Sequence, residues 1–342
     1  MSFKIVSIGD YMTGENMHHY GRGIPRKFQD RFHDLVTEPV RETLSDGDIL
    51  ILNFESSLEE AQILDSLPIE NAVYVAPLET FKLLNSLEIP IVANIANNHF
   101  GQHGNKRSQF TIQNLERNGI VVVGKNNLPV EIILKKYTLK IWGVSLVADE
   151  NYDGAYFKSS YDSLLQDLKP LTAKGENEFH IISIHWGVEY STLNNDKQTI
   201  LARKLSEAGM DLVLGHHPHT VQPVEKINST WVIYSHGNFL FDQNFSALTQ
   251  TGLITKIKLP ENQAEFYLSQ QKDFQVVELN GASEDEIETF CKANFSVKKS
   301  LQMRILMKLE MLKNFNELNY PVIKTFIARL FRSRQTSNAK QI

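Results

Sequence analysis

The stretch 211–225, DLVLGHHPHTVQPVE, sets three imidazoles, His216, His217 and His219, directly behind an apolar run. Leu212-Val213-Leu214 reads as the end of a buried strand, and Gly215 releases the backbone into a turn. Pro218 favours an extended conformation in the residue before it, which lets His217 and His219 face one cleft. Neutral imidazole donates to zinc, iron and manganese, so metal binding is the chemistry this spacing suggests. Taken alone, the triplet could equally be a polar turn whose histidines bond to backbone.

The same kind of position recurs along the chain. Asp10 follows the short apolar run 4–8, Glu55 follows 49–53, Asn98 and His99 follow 89–95, and His185 follows 180–184. Together with His217 and His219 these residues make an oxygen-plus-nitrogen set without a thiolate, which suits Mn, Fe or Zn, one ion or two. A central carboxylate such as Glu55 can bridge two ions about 3.5–4 Å apart. His99, next to a ligating Asn98, would be free to pass a proton to a leaving group. Singly, each has a plainer role: Asp10 caps a turn, Asn98 stabilises a loop, His185 is a satisfied core histidine, Glu55 pairs with an arginine. Their gathering at strand ends is what argues for a site. The loop after the first strand carries Arg22, Arg26 and Lys27, the first candidates for contacts to phosphate or carboxylate.

Helical periodicity at 31–44, 78–87, 109–118, 163–168 and 197–208 alternates with these strands, and 130–134 with 139–144 reads as a hairpin or two adjacent strands. The pattern predicts an α/β layered fold with a mixed sheet, ligands collecting at the strand ends. The character changes after about residue 258: strands with a polar turn over 261–277, then mainly helix over 283–331. We therefore expect a domain at 1–258 and a strand-then-helix C-terminal extension at 259–342. Within the extension, 296–334 is basic at both flanks, apolar between, and split by Pro321. Such a segment either packs on the core or makes peripheral contact with an anionic membrane.

A net charge of −5 argues against a general nucleic-acid-binding surface. The single Cys291 excludes an intrachain disulfide and a thiolate metal cluster. No apolar run approaches the roughly 18 residues of a spanning helix, and the first residues, MSFKIVSIGDYM, show no signal-peptide pattern, so a cytoplasmic location is expected. Gly9 to Gly14 lacks the spacing of a dinucleotide fingerprint, which leaves a nucleotide-binding Rossmann reading weak.

The ordered strings GD at 9–10, NFE at 53–55, ANNH at 96–99, HWGVEY at 185–190, GHHPHTVQPVE at 215–225 and YSHGNFLFDQ at 234–243 resemble the bacterial capsule synthesis family named for the poly-γ-glutamate accessory protein CapA. That family is similar in fold to the calcineurin-like metallophosphatases. The resemblance covers roughly residues 3–245 and implies a two-sheet sandwich of mixed strands flanked by helices, with metals at the strand ends. It also implies Asp10 as a first-site ligand, Glu55 as the bridging carboxylate, Asn98 and His185 as second-site ligands, and His217 and His219 as ligands to one ion each. His99 becomes the proton donor, and Glu189 a neighbour able to orient His185 or water.

Three departures matter. Met12 stands where the metallophosphatases place a histidine, leaving the first site a ligand short. Gln102 replaces an expected aspartate three residues after His99, and His236 replaces the leucine of the usual YSLGN string. His216 lies outside the matching HPH pair. The expected activity is metal-dependent hydrolysis of a phosphoester or amide-type bond in capsule, poly-γ-glutamate or exopolysaccharide synthesis, on an anionic polymer or phosphoester substrate. The alternative is a non-catalytic accessory protein of a polymer synthase with a structural or vestigial metal site.

Overall fold

Short runs of β-branched and aliphatic residues build the strands, and their period-two alternation decides which side chains lie between two sheets. The computed structural model describes residues 2–17, 19–150, 152–168 and 174–295, together with Gln302, Ile305, Leu306 and Leu309. In chain order the strands begin with β1 (Phe3–Tyr11), β2 (Ile49–Phe54), β3 (Ser57–Glu59), β4 (Val75–Pro77), β5 (Ile91–Asn94), β6 (Val121–Val123), β7 (Val130–Leu134) and β8 (Tyr137–Ser145). They continue with β9 (Glu178–His185), β10 (Leu212–His216), β11 (Val224–Ile227), β12 (Thr230–Ile233), β13 (Asn238–Leu240), β14 (Thr251–Leu259), β15 (Gln263–Lys272) and β16 (Gln275–Ala282).

One large sheet has the order β16-β15-β14-β1-β2-β5-β6, with β13 alongside the end of β1; the other has β11-β12-β10-β9-β8-β7, and β3 and β4 form a separate parallel pair. Both are mixed. In the first, β1, β2, β5 and β6 run parallel and β14 is antiparallel to β1. In the second, β8, β9, β10 and β12 run parallel, with β7 and β11 antiparallel at the edges. The expected α/β sandwich of two mixed sheets flanked by helices is the observed architecture. The expected boundary after residue 258 falls within β14, one residue before its end, and β14 pairs in register with β15 within one sheet.

Ile5, Ile49, Ile51 and Val92 of the first sheet meet Ile141, Ile181, Leu212, Leu214 and Ile233 of the second in one apolar layer. The intervening residues Val6, Leu50 and Leu52 point the other way, onto Phe32, Val40, Leu44, Leu83 and Leu115 of the flanking helical segments. Likewise Ile182, Ile184 and Val213 pack outward on Leu201 and Leu205 of the helix Asp196–Glu207. Toward the carboxyl ends of the parallel strands the inter-sheet layer turns polar: Ser7, Asn53, Asn94 and Ser183 are all buried there. Alternation would send Asp10 to the opposite face from Ile5 and Ser7. A register shift between Ser7 and Asp10 in the pairing with β2 corrects this and returns Asp10 to the inner face.

Residues 31–44, expected as one helix, form instead a short 3-10 turn, Phe32–Leu35, and the separate helix Glu38–Ser45. Pro39 has no N–H to give a continuous helix and is accommodated in the first turn of the second one. The helix Asp196–Glu207 starts with a capping box, in which the Asn195 side chain accepts from the Gln198 N–H and Gln198 Oε1 from the Asn195 N–H, both at 3.0 Å. Asn195→Ala is expected to lower unfolding stability by about 1 kcal/mol, read from the shift in urea midpoint.

After β16 the helix Glu284–Asn294 packs Ile287 and Cys291 beside Val221 and Val224. Most of the basic segment 296–334 lies outside the described residues; Gln302, Ile305, Leu306 and Leu309 within it are helical, and the last three are exposed. Among the described residues no helix is long and apolar enough to cross a membrane.

Candidate metal centre

Six strand ends converge. β1, β2 and β5 deliver Asp10, Glu55 and the 96–99 turn from one sheet. β9 and β10 deliver His185 and the 216–219 turn from the other, and the turn after β12 brings in Asn238 at the start of β13, beside β1. The left-handed conformations of His217 (φ 98°) and His219 (φ 56°) turn this short segment through two non-glycine residues, a strain typical of functional sites.

At the middle is Glu55, fully buried. Its Oε2 accepts from Asn53 Nδ2 at 3.0 Å, and the same amide donates to Asp10 Oδ1 at 2.8 Å. Its Oε1 has no hydrogen-bond partner among the described residues. Three imidazole nitrogens surround it instead: His99 Nε2 at 3.7 Å, His185 Nε2 at 3.8 Å and His219 Nε2 at 3.8 Å. Ligand atoms bound to one ion at about 2.1 Å sit roughly 3–3.5 Å from each other, so the spacing is close to that of a shared cation. Ligand atoms of Asp10, Glu55 and His185 lie within 4.8 Å of one another, and so do those of Glu189, His217 and His219. The orphaned Oε1 and the equally unpartnered Nδ1 of buried His217 fit a divalent ion, which these residues could hold.

The electrostatics agree. Burial, and next the Asp10 charge, push the Glu55 carboxyl well above the usual carboxylate range. Burial alone would raise Asp10 too, but the adjacent His216 and His219 imidazoles outweigh it and hold Asp10 well below its ordinary value. Burial and then the neighbouring His217 depress His185 well below the imidazole range, and burial with His219 pushes His217 down to about 3. His219 goes the other way: burial opposes its charge, but contact with Asp10 raises it on balance. Neutral His185 and His217 keep lone pairs for a cation at pH 7.

His219 Nδ1 lies 2.9 Å from Asn238 Oδ1 and 3.2 Å from Asp10 Oδ2; a proton on Nδ1 shared with these acceptors leaves Nε2, facing Glu55, with its lone pair. Asn98 Oδ1 meets His185 Nε2 at 2.9 Å. His99 stacks on Tyr74 with ring centroids 3.7 Å apart, and its Nδ1 lies 3.3 Å from Gln102 Oε1, so the residue in place of the expected aspartate still orients the ring. Burial pushes His99 down to about 4.

The remaining sequence candidates fall into two groups. His216, whose Nδ1 lies 3.5 Å from Asp10 Oδ1, stacks on His236 with centroids 5.3 Å apart; Arg22 is exposed on the loop after β1, its backbone N–H donating to the His19 carbonyl. Arg26 pairs with Asp65, and Lys27 with Asp273 at 3.3 Å. That loop is tied to the centre's rim by Asp242, which accepts from the Asn16 N–H at 2.8 Å and pairs with His19 at 2.7 Å. Sequence reasoning passed over Asn53, Asn97, Asn238 and Tyr74. The three asparagines stood inside the strings NFE, ANNH and HGN, and polar amides at strand ends were the available signal; Tyr74 had none.

Residues 4–243 match the family described as bacterial capsule synthesis protein PGA_cap. The PGA biosynthesis protein CapA of Bacillus subtilis (strain 168) is 30% identical over 186 residues, covering 52% of this chain and 49% of that protein. The capsule biosynthesis protein CapA of Bacillus anthracis is 26% identical over 264 residues, 72% of this chain and 62% of that one. The chain thus spans 49% and 62% of the length of these two relatives. Among solved structures, TT1561 of Thermus thermophilus superposes with a TM-score of 0.46 at 12% identity, covering 78% of this chain and 98% of that one. The family match runs from β1 to Gln243, just past β13, and takes in every strand end that builds the cluster: the chain belongs to the bacterial capsule synthesis protein family.

Proposed function

We propose that this protein is a metal-dependent hydrolase of capsule, poly-γ-glutamate or exopolysaccharide synthesis, cleaving a phosphoester or amide-type bond of an anionic polymer or its precursor. The observation that carries the proposal is Glu55 Oε1, buried, without a hydrogen bond and faced by three imidazoles. Asp10, Glu55 and His219 would hold one ion, and Glu55, Asn98, His185 and His217 a second, of Mn, Fe or Zn. When bound, such ions supply Lewis acidity and water activation. His99 is the proposed proton donor to the leaving group: Tyr74 and Gln102 fix its ring with Nε2 facing the Glu55 side of the centre. Because burial leaves the ring neutral at pH 7, it must first take up the proton it passes on, which a bound anionic substrate would favour. Glu189 and the exposed Arg22 are the proposed contacts for substrate or ordered water.

Elemental analysis of protein purified without chelator tests this. Wild type is expected to carry one or two equivalents of metal, lost in His217→Ala. His99→Asn should keep the metal and lose about 10²–10⁴-fold in kcat on a generic phosphodiester. Wild-type protein that takes up no Mn, Fe or Zn overturns the reading.

A second reading has one specific observation behind it. Met12, fully buried with its N–H bonded to the Leu240 carbonyl at 2.8 Å, offers a thioether in place of an imidazole beside Asp10. A weakened site of this kind suits a non-catalytic accessory role, docking a polymer synthase or an anionic membrane through the basic C-terminal segment. Bound metal without hydrolysis of any ester or amide tried would favour it.

A further inference from the structure

His216 sits where a ligand would, yet no assignment so far uses it. β9 and β10 are parallel and pair His185 opposite His216, so the two imidazoles share the face turned toward β1 and β2. His216 is fully buried, and neither ring nitrogen has a hydrogen-bond partner among the described residues. Its Nδ1 lies 3.5 Å from Asp10 Oδ1, too far for a good hydrogen bond and about right for two ligands of one ion. A buried imidazole with Nε2 unpartnered and Nδ1 no nearer than 3.5 Å to its carboxylate neighbour is costly where an aliphatic side chain would fill the space. The ring behind it is different. His236 has both nitrogens engaged, Nε2 with Ser7 Oγ at 2.9 Å and Nδ1 with the Gly215 carbonyl at 3.1 Å, and it stacks on His216 at 13°. His236 therefore fixes the plane of His216 without competing for an ion.

We infer that His216 is a further ligand of the centre, bonding through Nδ1 to a divalent ion shared with Asp10. The inference rests on the metal-centre reading above. It also bears on Met12: an imidazole reaching Asp10 from the opposite sheet supplies the nitrogen that a thioether two residues beyond Asp10 does not, since Mn, Fe and Zn prefer imidazole and carboxylate to thioether.

The test uses the full chain, stripped of metal and titrated with Co²⁺ while its visible absorption is followed, for wild type, His216→Gln and His216→Ala. In both variants one binding step is expected to weaken at least tenfold and the absorption band to change, with near-UV circular dichroism as wild type. In ¹⁵N-histidine-labelled wild type, the His216 Nδ1 resonance should move on adding Zn²⁺; this decides the matter even if a variant fails to fold. Unchanged isotherms and spectra in folded variants, or an unmoved His216 resonance in protein that does bind Zn²⁺, overturn the role of His216 and leave the centre standing. Wild type that binds neither ion overturns both.

Discussion

Glu55→Gln is expected to uncouple stability from metal binding: the metal-free variant should be at least as stable as metal-free wild type at pH 7, while its metal uptake falls by 100-fold or more, and with it the proposed hydrolysis. The change keeps the side chain's volume and an oxygen for Asn53 Nδ2, now 3.0 Å from Oε2. It removes the charge that burial and Asp10 make unfavourable. The sign follows from linkage. A carboxyl whose folded pKa is raised binds more protons folded than unfolded, so it costs wild type stability as pH rises from the ordinary glutamate value, about 4.3, through the raised one. Glutamine removes that loss. With metal the order reverses: at 100 times its dissociation constant an ion that binds only the folded chain adds about 2.7 kcal/mol, which the variant forfeits. Thermal melts of chelated and Mn²⁺-loaded protein read both halves. A metal-free variant much less stable than wild type, or a variant melting point that rises with Mn²⁺ as wild type's does, would show that Glu55 serves packing rather than a cation.

Much of this centre could be read from the chain because parallel strands deliver residues to one edge, and an apolar run followed by a polar residue marks such a delivery point. Asp10, Glu55, Asn98, His185, His217 and His219 were each visible that way and do meet in space. What stayed hidden depends on a second element's position. The partition of strands into two sheets decides that His216 faces Asp10, and no local pattern encodes it. Asn53 and Asn238 look like ordinary strand-end amides until the atoms they orient are opposite them. Tyr74 reaches His99 from a loop between short helical turns and β4. The split of 31–44 was open to a stricter reading of Pro39, whose ring ends one segment and begins another. The turn of Asp10 onto the inner face is a register shift, and periodicity alone predicts the wrong side.

That register shift underlies the largest expected loss of stability. At Gly9 an added Cβ would lie 1.9 Å from the Gly237 carbonyl oxygen, 2.9 Å from its carbon and 3.2 Å from His236 Cβ. Two of these are backbone atoms, and neither can swing aside. The oxygen is held in place because it accepts from the Asp10 N–H at 2.9 Å, and Gly237 itself has φ 65° with little room toward Thr251. Gly9→Ala must therefore push β13 away from β1, which displaces Asp10 on one side and Asn238, the partner of His219, on the other. We expect a loss of about 3 kcal/mol or more in urea unfolding together with weakened metal uptake. Gly281→Ala, at an exposed position of edge strand β16 with nothing within 4 Å of the new carbon, is the matched control and should stay within about 0.5 kcal/mol of wild type. If Gly9→Ala were as mild as that control, the close crossing of β1 and the 236–238 turn would not be what carries Asp10 into the cluster.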